Sequence, residues 1–403
     1  MADNSTSTAS APIIFDGWRS ISYSVFMALV GYSVMVTVPV LSTKLVEVLS
    51  FTEEQVGRVW GADLGGLSIG AVLAALLLAR VNRRHLVMAG VALCIGANTM
   101  CMYFVEYEQL LWLRVAAGIG SGIFTGTAVA TIGGTSKPER AFNILLLGFS
   151  FTAAFELNLF PQLSLNGIFL FLIGTAAVCA LFLNWLPARA LNAEEILQQE
   201  KIEDHLEDWH VPRALPIMCL TAVCFTYINI GGYFTYIELA ALDDGIAADR
   251  IGPLLTWSSF LALAGCVLAL LCSRFGLFRP LFAALITMAV LVGMLSGGIT
   301  YMNLLVSLFA FMALWTFVDV FQSAMMGHMD RTGSMVALLP AVQGFGQFIG
   351  PNIAASIIGA GLGYSVMFLV SGSMALVAMV LYGGIYLYMH RRKSIVAEAT
   401  SVA

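Results

Sequence analysis

Twelve apolar runs, each of about 20 residues or more, occupy most of this chain and leave room for almost no other architecture. At a rise of about 1.5 Å per residue, about 20 residues of helix cross the hydrocarbon core of a bilayer. Runs of that length fall at 19–41, 54–79, 85–105, 109–132, 140–161 and 166–187, then at 213–237, 250–273, 280–299, 303–327, 334–360 and 364–389. The residues between them cannot supply a soluble surface, because only 11% of the chain is charged against 59% hydrophobic. The fold class is an all-α polytopic membrane protein. A tail, 1–18, precedes an N-terminal six-helix bundle, 19–187. A polar linker, 188–212, leads to a C-terminal six-helix bundle, 213–390, and a tail, 391–403.

The basic residues test the count of spans. With the N-terminus in the cytoplasm and the sides alternating, three of the 19 Lys and Arg fall outside: Lys44, Arg58 and Arg250. Arg114 falls within a span, and all the others lie on the cytoplasmic side. That is the asymmetry of the positive-inside rule, and dropping one helix from the first half would scramble it. Both termini are therefore expected in the cytoplasm, with the protein in the cell (inner) membrane. The first eighteen residues are polar and rich in Ser and Thr, and lack the pattern of a signal peptide. The sequon Asn4-Ser5-Thr6 would lie on the wrong side of the membrane for glycosylation. The acidic linker reads as a solvated tether. The seven cysteines sit in apolar segments without a CxxC pair and read as packing residues, with no disulfide framework and no metal site.

The two sets of six are related. Gly70–Arg84, GAVLAALLLARVNRR, returns 195 residues later as Gly265–Arg279, GCVLALLCSRFGLFR. One deletion brings Arg80 onto Arg274. At the same offset Tyr32 falls on Tyr227 and Ala89 on Ala284. Two halves in the same order, each starting in the cytoplasm, are parallel repeats about an axis along the membrane normal.

Three motifs carry a family resemblance. The loop after the second helix reads Leu78-Ala79-Arg80-Val81-Asn82-Arg83-Arg84. The fourth helix contains Arg114-Val115-Ala116-Ala117-Gly118-Ile119-Gly120, an Arg-x-x-x-Gly-x-Gly pattern, and the eleventh contains Gly346-x-x-x-Gly350-Pro351. In these the chain resembles a transporter of the major facilitator superfamily from residue 19 to residue 390. The resemblance implies two six-helix bundles that rock about a central cavity lined by helices 1, 4, 7 and 10. It assigns gating to the loop-motif residues Gly70, Arg80, Arg83 and Arg84 and to Gly265, Arg274 and Gly276 of the second half. It also implies a loop Asp that latches the outward-facing state, but Ala79 and Ser273 stand in that place, and Asn82 replaces a Gly.

Charges inside spans mark function by default, since an Arg at mid-span costs roughly 2.5–3.5 kcal/mol on the insertion scale. Arg114 needs a wet cavity or a counter-charge, and Asp63 and Glu156 lie at similar depth on helices 2 and 5. An N-terminal-half cluster of these three is expected. Asp319 lies deeper, on helix 10. Asp63, Arg114, Glu156 and Asp319 are the candidate proton-coupling residues. The cavity helices offer Tyr32 and Thr37 on helix 1, Tyr227, Asn229 and Tyr233 on helix 7, and Trp315 and Gln322 on helix 10 as substrate contacts. Such walls suit a small organic molecule with an apolar or aromatic body.

No Gly-x-x-x-x-Gly-Lys-Ser/Thr motif is present, so ATP does not drive the protein directly, and no catalytic triad or metal set is visible. The expectation is a non-enzymatic secondary transporter without a cofactor. It is a monomer in the lipid bilayer, its partners are a small molecule and protons, and it binds no nucleic acid. It moves its substrate by rocker-switch alternating access, with a lean to export because the cavity has more acids than bases. The alternatives are an uptake symporter for an organic anion, with Arg114 as the carboxylate clamp, and a sensor or scaffold that no longer transports.

Overall fold

The computed structural model describes residue 15 and residues 17–78, 80–135, 138–188, 212, 214–329 and 338–401, with main chain alone at 138–139, 327–328 and 391–401. Twelve long helices are formed among the described residues. In the first half they are α1 (Trp18–Leu49), α2 (Glu53–Leu77), α3 (Arg83–Cys101), α4 (Tyr107–Gly133), α5 (Pro138–Leu159) and α6 (Leu165–Leu181). In the second they are α7 (Ala214–Asp243), α8 (Ala248–Phe275), α9 (Phe278–Gly293), α10 (Tyr301–Met329), α11 (Leu339–Gly359) and α12 (Gly363–Ser401). Residue 79 and the linker residues 189–211 lie outside the described residues, and so do 334–337 of the eleventh expected span.

Local chemistry sets the boundaries. Ser50 closes α1 in the left-handed conformation (φ 55°), its N–H returning to Leu45 and Val46 carbonyls. Thr52 and Gln55 then form a capping box that starts α2. In α8 the hydroxyls of Ser258 and Ser259 both bond back to the Leu255 carbonyl, at 2.9 and 3.1 Å, and the helix is interrupted there. Three helices run more than a turn beyond their expected ends: α1 to Leu49, α7 to Asp243 and α12 to Ser401. On α1 and α7 the added turns carry polar residues, including Thr43 and Glu238, that are buried. A length read from apolar composition stops short of residues that protein, not lipid, covers. Among the described residues ten helices are long and apolar enough to cross a membrane by length and composition, and α6 is a shorter apolar helix. The remaining one, α11, carries Gln343, Gln347 and Asn352, and it packs between α2 and α7, which bury Gln347.

The repeat is visible in packing. A Cβ on Gly70 of α2 would overlap the Ile119 carbonyl of α4, and one on Gly265 of α8 would overlap the Ala313 carbonyl of α10. The two glycines thus do the same job in each half, bringing the second and fourth helices into backbone contact. Gly118 and Gly122 meet α2 from the other side, against the carbonyls of Asp63 and Leu67. In α11, Gly346 and Gly350 admit the backbone of α7 in the same way.

The halves join unevenly along their length. One face of the molecule carries Trp18, Arg80, Arg83 and the end of α12; at the opposite face the Tyr236 hydroxyl donates to the Glu53 carbonyl at 2.7 Å. From mid-span to that face Val36–Thr43 of α1 and Thr226–Ala241 of α7 are buried throughout. One apolar core runs across both halves on that side. Toward the termini-bearing face the first half keeps a separate core around Tyr23, Phe124 and Cys179. Between the halves on this side, Ser22, Tyr32 and Asp319 are exposed or partly exposed.

Candidate functional site

Arg114 and Asp63 meet in the first half as an ion pair, each side chain 2% exposed. The close α2–α4 approach makes this possible, because Gly118 packs on the backbone of Asp63 itself. Asn98 of α3 completes the arrangement, its Oδ1 accepting from Arg114 Nη1 at 2.8 Å. The guanidinium lies 5.5 Å from the Trp60 ring centroid and 5.9 Å from that of Phe169. Arg114 Nε has no partner among the described residues. The guanidinium borders a cavity of about 20 Å³ with Gly31, Asn98 and Ser121, room for one water molecule. This is a closed electrostatic unit almost wholly removed from bulk solvent.

Glu156 is not part of it. The carboxyl is 2% exposed on α5 and faces Ser33 of α1, with Oε2 unpartnered among the described residues. Depth along a helix is legible in the sequence, whereas rotation about its axis is not.

In the second half the acid has a different setting. Asp319 of α10 is partly exposed. The Tyr227 hydroxyl of α7 lies 2.7 and 2.8 Å from its two oxygens and donates to the carboxylate. Trp315 Nε1 donates in turn to the Tyr227 oxygen at 3.4 Å. Tyr32 of α1 lies near Asp319, and its ring meets Phe149 edge-on at 6.2 Å. Among the described residues Asp319 has no salt bridge.

The other cavity-helix candidates use their polar groups within the protein. Thr37 donates to the Ser33 carbonyl of its own helix at 2.7 Å. Asn229 donates to the Ser371 carbonyl at 2.7 Å, and Tyr233 shares a 2.9 Å hydrogen bond with Ser307 deep in the second bundle. Gln322 donates to Thr226 at 2.8 Å. Trp315 also stacks edge-on with Phe234 at 5.8 Å.

The loop-motif residues act at the termini-bearing face. Arg84 donates to the Leu186 and Asn184 carbonyls at 2.7 and 3.0 Å, tying the loop to the end of α6. Arg83 is 5% exposed, donates to Thr131 at 2.8 Å and lies 4.5 Å from the Phe15 ring centroid. Arg80 and Arg274 are exposed, and the Arg274 guanidinium lies over Phe275 at 4.8 Å. Gly276 has φ 81°. The latch position 79 lies outside the described residues.

Two side chains escape the sequence reasoning. Asn98 is a lone amide in an apolar helix, a signal that could have marked it as Arg114's partner. Glu238 lies just past the apolar run that ends at 237, where a loop is expected. It is instead helical and 7% exposed, facing Thr43 of α1 with Lys44 and Glu47 nearby. A groove of about 430 Å³ lies apart from all of these, on the α2–α11 seam around Arg58, Phe348 and Ser356.

Two bundles of apolar helices, most of them long enough to cross a bilayer, define a multi-pass membrane protein. The chain belongs to the Major Facilitator Superfamily, which it matches over residues 23–351. Its fold is similar to that of a mutant form of the nucleoside transporter NupG, with TM-score 0.71 and 10% identity over 91% of this chain and 98% of that one. It is also similar to a D-xylose-proton symporter, with TM-score 0.66 and 16% identity over 90% and 96% of the two chains. A third similar structure is the human organic anion transporter MFSD10, with TM-score 0.64 and 13% identity over 92% and 97%. A search of curated proteins gives no match.

Proposed function

We propose that this protein is a proton-coupled secondary transporter that moves a small organic compound by alternating access, with Asp319 as the acid that exchanges the proton. The observation that carries the reading is the setting of Asp319. It is a partly exposed carboxylate in a membrane span, held by Tyr227 and Trp315, and it has no salt bridge among the described residues. An unpaired carboxylate away from bulk water gains from taking up either a proton or a ligand, which is the property a coupling site needs. Tyr32, Tyr227 and Trp315 are its substrate contacts, while Thr37, Asn229, Tyr233 and Gln322, whose donors are engaged within the protein, support the wall from behind. The positive-inside bias assigns the termini-bearing face to the cytoplasm, so the conformation described opens inward. The loop residues Arg80, Arg83, Arg84 and Arg274 then lie at the inner gate.

Arg114 is engaged by Asp63 and Asn98, which favours a role in locking α2 to α4 over that of a carboxylate clamp. Glu156, buried beside α1 without a basic partner among the described residues, is the second candidate for proton movement. Proton-for-substrate exchange on one acid is the chemistry of export. Flux of a compound panel into and out of proteoliposomes, with and without an imposed proton gradient, tests the assignment. Wild-type protein is expected to give gradient-dependent flux and Asp319→Asn to lose it. Flux indifferent to the gradient, or retained with its gradient dependence in Asp319→Asn, would sink the assignment.

A further inference from the structure

Taking Asp319 as the exchanging acid, we propose that its pocket binds a monovalent organic cation with an aromatic body, and that this cation and a proton compete for the same carboxylate. Three observations point to that class. First, the titratable groups close to Asp319 on the packed helices are Tyr32 of α1, Tyr227 of α7, Cys266 of α8 and Tyr382 of α12. None carries positive charge, so among the described residues the carboxylate has no resident counter-ion. A carboxylate offers about four acceptor positions, and the one Tyr227 hydroxyl leaves most of them for a ligand.

Second, the donor groups of the neutral polar side chains around the pocket are engaged within the protein. Gln322 donates to Thr226, Asn229 to Ser371 and Thr37 to Ser33, and Tyr233 shares a hydrogen bond with Ser307. The atoms these side chains leave without a partner among the described residues, Gln322 Oε1 and Asn229 Oδ1, are acceptors, so a neutral polyhydroxyl substrate finds few donors here. The aromatic surfaces that do remain accessible are Tyr32 and Phe149, both partly exposed on the first-half side of the cavity. Aromatic faces attract cations, more strongly when water is excluded.

Third, the buried ion pair of the other half gives an anion nothing to bind. Arg114 is neutralised by Asp63 and is 2% exposed. An anionic substrate would approach an unpaired Asp319 and a buried Glu156 with no basic group to compensate among the described residues. Electroneutral occupation therefore alternates between two states. In one, a proton sits on the Asp319 carboxylate. In the other, that proton has left to water and the organic cation has taken its place.

Binding to the purified protein in detergent tests this without any gradient, so it can fail or succeed independently of coupled flux. The probes are radiolabelled tetraphenylphosphonium and its size-matched anion tetraphenylborate, with phenyltrimethylammonium as a smaller cation. Wild-type protein is expected to bind at least one of the cations and not the borate. Cation affinity should fall tenfold per pH unit where Asp319 takes up its proton, which corresponds to one proton displaced per cation. Asp319→Asn should lower cation affinity tenfold or more and remove the pH dependence, while remaining monodisperse on size exclusion. Tyr32→Ala should weaken cation binding severalfold. Failure of both cations to bind, binding of borate as tight as phosphonium, or cation binding unchanged by pH or by Asp319→Asn would each overturn the proposal. If Asp319→Asn does not fold, the pH slope and the cation-to-borate ratio of the wild type decide alone.

Discussion

The two halves share a scaffold but differ in how they hold charge. At the repeat offset of 195, Arg114 falls on Phe309 and Asp63 on Ser258, while Asp319 falls on Phe124. Each half therefore has apolar or neutral residues where the other has ions. In the first, a cation and an anion neutralise one another out of solvent, with Asn98 taking up a further donor. In the second, one anion stands partly exposed with hydroxyl and indole support but no salt bridge among the described residues. What is common, the Gly70 and Gly265 crossings, is backbone packing. Duplication supplied the frame, and the charges were placed in each half separately. A paired charge fixes structure, whereas an unpaired one remains available to a ligand.

The sharpest way to break this contrast is to remove one charge from each side. Arg114→Ala leaves Asp63 buried and unpaired, which should destabilise the protein by about 3–5 kcal/mol. Asp319→Asn keeps shape and removes a charge that has no partner to strand, so its melting temperature in detergent should stay near that of the wild type. Replacing both Asp63 and Arg114 by Leu should recover most of the Arg114→Ala loss, since a buried pair exchanged for apolar residues is often neutral or stabilising. Thermal unfolding of the four proteins measures this. If Arg114→Ala melts like wild type but abolishes flux, the pair is part of the coupling machinery and the contrast fails.

Much of this is legible in the sequence for reasons that also explain what is not. The twelve runs report burial in lipid or protein, and burial by either requires apolar residues. The extra turns of α1 and α7 escape such a reading because Thr43 and Glu238 are polar and another helix covers them. The Arg114–Asp63 partnership can be anticipated, because a mid-span Arg needs an acid at equal depth. Glu156 satisfies the same depth criterion and belongs elsewhere, since only the packed structure fixes which way a helix is turned. Asp319 stands out as a candidate, but its support by Tyr227 and Trp315 depends on contacts 92 and 88 residues apart in the chain.

The shared frame offers a smaller effect. Gly70→Val and Gly265→Val each drive a side chain into the carbonyl of the facing helix, Ile119 or Ala313. Each should cost about 1–3 kcal/mol through forced separation of the helices. Similar losses in melting temperature would support equivalent roles, and a loss confined to one variant would show that the halves pack differently at this crossing.

The loops that follow these crossings sharpen the comparison in the opposite direction. Gly276 has φ 81° and ψ −178°, a region open essentially to glycine alone. Asn82, at the position where the first half lacks the family's Gly, has φ −59° and ψ 124°, which any residue adopts, and its side chain accepts from the Arg84 N–H at 2.9 Å to start α3. The first loop therefore gives up the glycine because its backbone does not need one, and gains a helix cap in exchange. Gly276→Asn should cost about 1–3 kcal/mol. Asn82→Ala should cost about 1 kcal/mol, while Asn82→Gly, which keeps the cap position accessible to water, should cost only a few tenths. Melting temperatures that fall in that order would establish that one loop is held by backbone conformation and the other by a side chain. A large loss for Asn82→Gly would mean that the Asn side chain contributes more than its cap.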